Sequence, residues 1–409
     1  MTAHDESKLS YYGWVVVAMV ALANLTAFGI INAFSVFFKP LASDFGWSRA
    51  ATAGAYSLYA ITHNILAPFV GAITDKFGPR IAAASGGFCL GASMILMSQI
   101  HAIWELYVYY ALFLGFGIAS VYAPMLATVS QYFRVKRGLA IGVASTGVGG
   151  GSLLMSPLTG WLISSYHWKF AYLVIGILTW VIFIPVIIFV KGPSHEIPKA
   201  GKESPFSMDF SFWEALKTKS LWVYTFTFFF IAISIWPIIV HFVPLLTDRG
   251  FLLVKASLLA GLLGGVSVIG RIGGGFLSDR IGRKRILMAG FIIQMLSLAW
   301  LYYSQEEWMF YVFALSFGFS SGLWAGVIAA FPADYFGLKA TGSIFGVTLI
   351  IVGVGSAIGT YFGGYFFDIS GSYNYMLVMS IMGAFFAVLL GFFLKPPMKR
   401  VTERVLKSD

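Results

Sequence analysis

The sequence predicts an all-α polytopic membrane protein, with twelve transmembrane helices in two six-helix halves that repeat each other in parallel. Three observations carry that expectation. Of the 409 residues, 58% are hydrophobic and 11% charged, and the mean hydropathy is +0.83, so a soluble fold could not cover its surface. The apolar residues come in runs long enough to cross a bilayer as helices, and too long for barrel strands. The second half then echoes the first at an offset of 204 residues. Gly71-Ala-Ile-Thr-Asp75-Lys-Phe-Gly78-Pro-Arg80 matches Gly275-Phe-Leu-Ser-Asp279-Arg-Ile-Gly282-Arg-Lys284, and the same offset pairs Gly138 with Gly342, Gly142 with Gly346, Gly149 with Gly353 and Gly160 with Gly364.

In chain order, Met1 to Ser10 is short and polar with no cleavage-site pattern, and the apolar run from Tyr12 to Phe38 is too long for a signal peptide. Spans are expected at about 12–38, 50–74, 81–98, 103–132, 138–165, 168–191, 220–246, 253–278, 286–304, 308–336, 340–368 and 373–394. Between the sixth and seventh, Pro193, Pro198 and Pro205 break any helix, and Phe212, Trp213 and Leu216 then share one face ahead of Lys217 and Lys219. That pattern reads as a short interfacial helix, with 192–206 either part of an ordered linker or a disordered tether. The boundaries are therefore 1–191 for the N-terminal half, 192–219 for a cytoplasmic linker, and 220–409 for the C-terminal half with its cytoplasmic tail. Six spans per half is an even number, so both halves insert in the same orientation, with a central site between them.

Charge gives the orientation. The termini and the loops on their side carry 21 Lys and Arg, and the opposite loops carry 5: Lys39, Arg49, Lys169, Arg249 and Lys255. This bias expects both termini in the cytoplasm of a cell inner (plasma) membrane, and it accounts for the net charge of +10 without nucleic acid. The single cysteine, Cys89, excludes an intramolecular disulfide and a cysteine-based metal site, and no cofactor is expected.

The glycine-rich span 8 ends in Arg280, Arg283, Lys284 and Arg285, and one further cation, Arg271, lies inside its apolar part. Eight residues from Asp279, at about 1.5 Å each, place it roughly 12 Å into the bilayer core. A charge there costs roughly 2.5–3.5 kcal/mol on the translocon scale, so Arg271 is expected to face a water-filled cavity or an anion.

The repeated Gly-x-x-x-Asp-[Lys/Arg]-x-Gly-x-[Arg/Lys] loops resemble the signature loop of the major facilitator superfamily. Within it, Tyr132-Phe-Arg-Val-Lys136-Arg137-Gly-Leu139-Ala140-Ile-Gly142-Val-Ala144-Ser-Thr-Gly147-Val-Gly-Gly-Gly151 is similar to the span-5 signature of the monocarboxylate transporter family, with Lys136 for an arginine and Thr146 for an alanine. Tyr12-Gly13-Trp14 resembles that family's first span without its acidic residue. His241-Phe-Val-Pro-Leu-Leu-Thr-Asp248-Arg-Gly250 is similar to the end of span 7 in bacterial members. The related oxalate/formate antiporters share much of the pattern.

The resemblance implies that Arg271 is the substrate-binding arginine of span 8, and a guanidinium's planar fork suits a carboxylate. The alternative is a structural arginine paired with Asp248 or bonded to backbone carbonyls. Where animal relatives carry an aspartate one turn before this arginine, this chain has Ser267. Dicarboxylate exchangers are expected to need a second cation in span 11, and Thr341 to Phe367 contains none. Tyr122, in mid-span 4, is expected to line the cavity, because a hydroxyl at that depth needs a partner. Asn24, Phe28 and Asn32 share a face of span 1. Asn32 joins the expected substrate site, and Asn24 reads as lining or as interhelical glue. Trp236 and Trp324 read as cavity-shaping or packing. His63 and His241 are the titratable candidates; His63 reads alternatively as a helix-packing residue, and His241 as either a coupling or gating residue or a rim residue.

The expected function is secondary transport of a small monocarboxylate, lactate-like or pyruvate-like, with a proton, by alternating access in a functional monomer. Organic-anion exchange is the alternative. Substrate contacts are expected from Arg271, Tyr122, His241, Ser267 and Asn32, and coupling from Asp248 and His241. With no substrate bound, Asp248 is expected to hold Arg271 across the cavity until protonation of Asp248, or of His241 in its place, releases it; the alternative is that Asp248 is only a rim charge. Gating is expected from Asp75, Arg80, Asp279 and Arg283. An enzyme is disfavoured by the absence of intramembrane carboxylate pairs or metal-ligand clusters, and a sensor by the absence of a soluble signalling domain.

Overall fold

The computed structural model describes residues 3–133, 137–192, 210–328, 331–337 and 341–397. The linker residues 193–209, which carry Pro193, Pro198 and Pro205, lie outside them. So do 134–136 of the span-5 signature and the tail beyond 397. The described chain is helical. Its long helices are α1 (Ala3–Phe45), α2 (Arg49–Phe77), α3 (Pro79–Met97), α4 (Ile103–Tyr132), α5 (Gly138–Ser165), α6 (Trp168–Phe189), α7 (Lys219–Asp248), α8 (Leu253–Ile281), α9 (Arg283–Tyr303), α10 (Glu307–Ala325), α11 (Thr341–Ser370) and α12 (Asn374–Phe392). Eleven of these are long and apolar enough to cross a membrane. The remaining one, α2, is as long as its repeat partner α8 but carries His63 and Asn64 at mid-length. A short helix, Phe212–Leu216, precedes α7, capped by Ser211 and Glu214.

The repeat is exact in register at several ends: adding 204 takes the limits of α2 onto those of α8, and the start of α3 onto that of α9. Gly78 (φ +87°) and Gly282 (φ +92°) make the one-residue turns between those helices, in a left-handed conformation that a side chain would strain. The tenth span departs from expectation. It runs as α10, turns at Gly326 and Val327, and resumes as a separate helix, Phe331–Phe336. Pro332 has no N–H to donate, and at the second position of the new helix none is needed, because the first-turn donors have no intrahelical acceptor.

The halves meet along two seams, α5 against α8 and α2 against α11. At the first, Ser152 Oγ donates to the Ala260 carbonyl at 3.2 Å, and a Cβ on Gly149 would lie 2.4 Å from the Gly264 carbonyl. At the second, Ser57 Oγ donates to the Ala357 carbonyl at 2.9 Å, and Gly353 packs on Ala60 and Asn64. Two to three helical turns nearer the Gly78 and Gly282 loops, the equivalent positions Gly71, Gly142, Gly275 and Gly346 have nothing within 4 Å of where a Cβ would be. The seams are thus closed toward one end of the bundle and parted toward the end that carries the basic loops. Below, these are the distal and basic ends.

Large apolar side chains cover the outside, among them Phe69 (64% exposed), Leu154 and Ile272 (59% each). In a membrane that surface meets lipid rather than water.

Candidate functional site

Arg271 sits where the α5–α8 seam ends. On α8 it shares a stripe with Ser267, which packs on Gly149, and with Gly275, which is open. Its backbone is fixed from the other side by α10: a Cβ on Gly322 would lie 2.1 Å from the Ser267 carbonyl and 2.8 Å from the Arg271 nitrogen. Only glycine lets the two backbones come so close. The side chain is half-buried, its Nε is enclosed without a hydrogen-bond partner, and among the described residues its guanidinium forms no ion pair. Such a group is unfavourable until an acceptor arrives.

Counted down the helices from the distal end at ~1.5 Å per residue, Phe28 of α1, Tyr122 of α4 and Arg271 all lie about 25–29 Å deep. Phe28 and Tyr122 meet edge to face, with centroids 5.0 Å apart, and the Tyr122 phenol is half-buried. Asn32 is half-buried one turn above Phe28. Asn24 has the gluing role: it is fully buried and donates to the Ala144 carbonyl at 3.1 Å. Trp324 lies at the same depth but its ring packs on Phe291 of α9 and donates to Gln294 at 2.9 Å. His63 stacks on Tyr59 at 5.8 Å.

Three expected site residues are corrected by their placement. Ser267 is buried in the seam, and its hydroxyl is used by the Gly264 carbonyl at 2.7 Å. His241 lies about 10 Å below the distal end, roughly 16 Å above the Arg271 level. It is fully buried, 3.0 Å from the Thr360 carbonyl through Nε2 and 3.3 Å from the Tyr373 hydroxyl through Nδ1. A carbonyl can only accept, so Nε2 carries the proton and Nδ1 accepts from Tyr373. Asp248 ends α7 at the distal end, about 27 Å from the level of Arg271, and so cannot hold it.

Asp248 belongs instead to a distal closure that sequence reasoning missed. Arg49, the first residue of α2, donates to both Asp248 oxygens at 2.5 and 3.0 Å and to the Tyr373 hydroxyl at 2.6 Å. Its guanidinium lies 3.5 Å from the centre of the Phe367 ring. Lys39 of α1 adds a second cation 2.8 Å from Asp248. Asp368, near the end of α11, accepts from the backbone nitrogens of Arg49 and Ala50, both at 2.8 Å, and so caps α2 from the other half. Beneath these, Phe38 meets His241 (4.9 Å) and Tyr56 meets Trp236 (6.0 Å) across the halves. A signal existed in the sequence: Lys39, Arg49, Asp248 and Asp368 are charges on the side where charges are scarce.

At the basic end, Asp75 and Asp279 are exposed and form no ion pair among the described residues. Asp75 opens onto a cavity of about 370 Å³ against Pro124 and Gln131 of α4. Arg80 and Arg283, expected to gate beside them, act within their own halves. Arg80 donates to the carbonyls of Ile187 and Ile188 at the end of α6, and Arg283 pairs with Asp334.

The sequence profile of the Major Facilitator Superfamily matches residues 20–279 and 271–408. Monocarboxylate transporter 13 of Rattus norvegicus is 28% identical over 389 residues, 91% of this chain and 86% of that one. The oxalate:formate antiporter of Oxalobacter formigenes is 27% identical over 417 residues, 96% of this chain and 94% of that one. In fold, the chain is similar to a bacterial homologue of the human lysosomal transporter Spinster, with a TM-score of 0.70 at 15% identity over 94% of this chain and 95% of that one. Duplicated signature loops, parallel six-helix halves and a profile matching both halves agree: the chain belongs to the Major Facilitator Superfamily, with resemblance to its monocarboxylate transporters.

Proposed function

We propose that the chain is a secondary active transporter of small monocarboxylates, of the size of lactate or pyruvate, coupled to a proton, with Arg271 as the carboxylate clamp. The observation that carries this reading is the enclosed, unpartnered Nε of Arg271 at the point where the seam between the halves parts. A carboxylate supplies two acceptors in the plane of the guanidinium fork. Among the described residues the other Lys and Arg lie at or near helix ends, which favours substrates with one carboxylate.

With the basic end in the cytoplasm, as the charge bias expects, the present form faces inward. The outward form would break the Arg49 closure and bring the parted glycine faces together, with Asp75 and Asp279 holding the basic end shut. Asp248 and His241 then act on the distal closure and not on Arg271. Importing a monocarboxylate alone moves one negative charge against the membrane potential, about 2.3 kcal/mol per 100 mV, and a proton removes that cost. Exchange of organic anions is the second reading, supported by the similarity to the oxalate:formate antiporter, 27% identical over 96% of this chain.

Reconstitution into liposomes tests both. A proton gradient, acid outside, is expected to drive radiolabelled lactate above its equilibrium level in vesicles with no internal anion. Uptake that ignores the gradient and requires internal formate or oxalate would replace this reading with the exchanger.

A further inference from the structure

A cavity of about 740 Å³ opens at the basic end of the C-terminal half, between the start of α9, the helix Phe331–Phe336 and the end of α12. Arg283, Lys284 and Arg285 surround its mouth, and Ala289, Ile292 and Phe392 form its wall. The internal repeat separates the cation that the fold needs from those it does not. Lys284 Nζ donates to the carbonyls of Phe392 and Leu394 at 2.9 and 2.7 Å, closing the end of α12. Its counterpart Arg80 does the same for α6. That charge is structural in both halves. Positions 283 and 285 correspond to Pro79 and Ile81, so the N-terminal half makes the same turn with no charge at either place. Arg283 is paired with Asp334. Arg285 is exposed, and its hydrogen bond is a long one, 3.5 Å to the Ile281 carbonyl. Among the described lining residues, three cations and one carboxylate give the mouth a net positive charge of two.

The polarity of the wall is ordered along the helix. Arg285, Ala289 and Ile292 follow one face of α9, so the lining passes from charged to apolar within about 10 Å, running toward the middle of the membrane. Ile292 and Phe392 are 36% and 61% exposed. A small soluble anion would satisfy the mouth and leave this wall bare. A phospholipid has its phosphate and its acyl chains in the same order and spacing.

We propose that this cavity is a binding site for an anionic phospholipid, its phosphate on Arg285 beside Arg283 and an acyl chain along Ala289, Ile292 and Phe392. The test is native mass spectrometry of the purified, delipidated full-length protein, offered equal amounts of phosphatidylglycerol and phosphatidylcholine with identical chains. The wild type is expected to retain phosphatidylglycerol at least about five-fold better, the worth of roughly one arginine at a membrane surface. Arg285→Ile, which installs the residue of the other half, should bring the two lipids near parity. Ala289→Trp, an exposed position, keeps every charge but fills the groove and should lower phosphatidylglycerol retention by a similar factor. Equal retention of both lipids by the wild type overturns the proposal, and so does undiminished retention in either variant. Displacement of the lipid by millimolar inorganic phosphate, with phosphate binding unaffected by Ala289→Trp, would make this a phosphate site and overturn the lipid assignment.

Discussion

Asp368→Ala should shift the conformational balance of this protein without unfolding it. The Asp368 carboxylate accepts from two backbone nitrogens at the start of α2, each at 2.8 Å, and it comes from the opposite half. The contact therefore exists only while the distal end is closed. Removing a cap costs about 1 kcal/mol, and an exposed carboxylate at a helix N-terminus contributes another ~0.3–1 kcal/mol. A loss of about 1–2 kcal/mol from one state of a two-state equilibrium is a factor of about 5–30. α2 keeps its own cap, since Ser48 Oγ accepts from the Ala51 nitrogen at 3.1 Å, so global stability should change little. The assay is thiol accessibility. Cys89 is the single cysteine, so Cys89→Ser clears the background and Ala60→Cys places a probe inside the α2–α11 seam. Labelling by a membrane-impermeant reagent added from the distal side should rise about 5–30-fold with Asp368→Ala. A change below about two-fold, roughly 0.4 kcal/mol, in a protein of unchanged thermal stability would refute the capping argument.

Three further outcomes are expected. Arg271→Lys keeps the charge but loses the fork, so monocarboxylate binding in detergent should weaken at least about tenfold, 1.4 kcal/mol; near-wild-type affinity would make Arg271 structural. Oxalate should compete far less well than lactate, because its second carboxylate would be desolvated without a cation at a cost of several kcal/mol, and equal competition would favour exchange. Asp279→Asn should preserve substrate binding and alter the transport rate or distal accessibility, since Asp279 is exposed at the basic end; lost binding with an unaltered conformational balance would remove it from the gate.

How much of this was legible in the sequence depended on whether a feature is local. Helix positions and the repeat follow from spacing along one segment, and the structure agrees with them. The broken tenth span carried its own warning in Pro332. Partners across helices were not legible. Asp248 and Arg271 look like a pair because they are scarce opposite charges in neighbouring spans, but α8 runs 18 residues from its distal start before it reaches Arg271. His241 is a titratable residue by sequence, yet its neighbours Thr360 and Tyr373 are more than a hundred residues away and fix both ring nitrogens. Arg49 registered only as an exception to the charge bias, and its role appeared once α2, α7 and α11 were brought to the same end.

The four open glycines, Gly71, Gly142, Gly275 and Gly346, give this protein an unusual mutational signature. A Cβ at any of them meets no neighbouring helix within 4 Å in the present form, so an alanine there should leave folding, membrane insertion and thermal stability nearly unchanged. The cost arises only when the two halves swing together at the basic end. Variants at these positions should therefore accumulate silently in any screen that scores expression or melting, and disappear from one that scores flux. A comparison of two such screens would map the closing surface residue by residue without a structure of the other form.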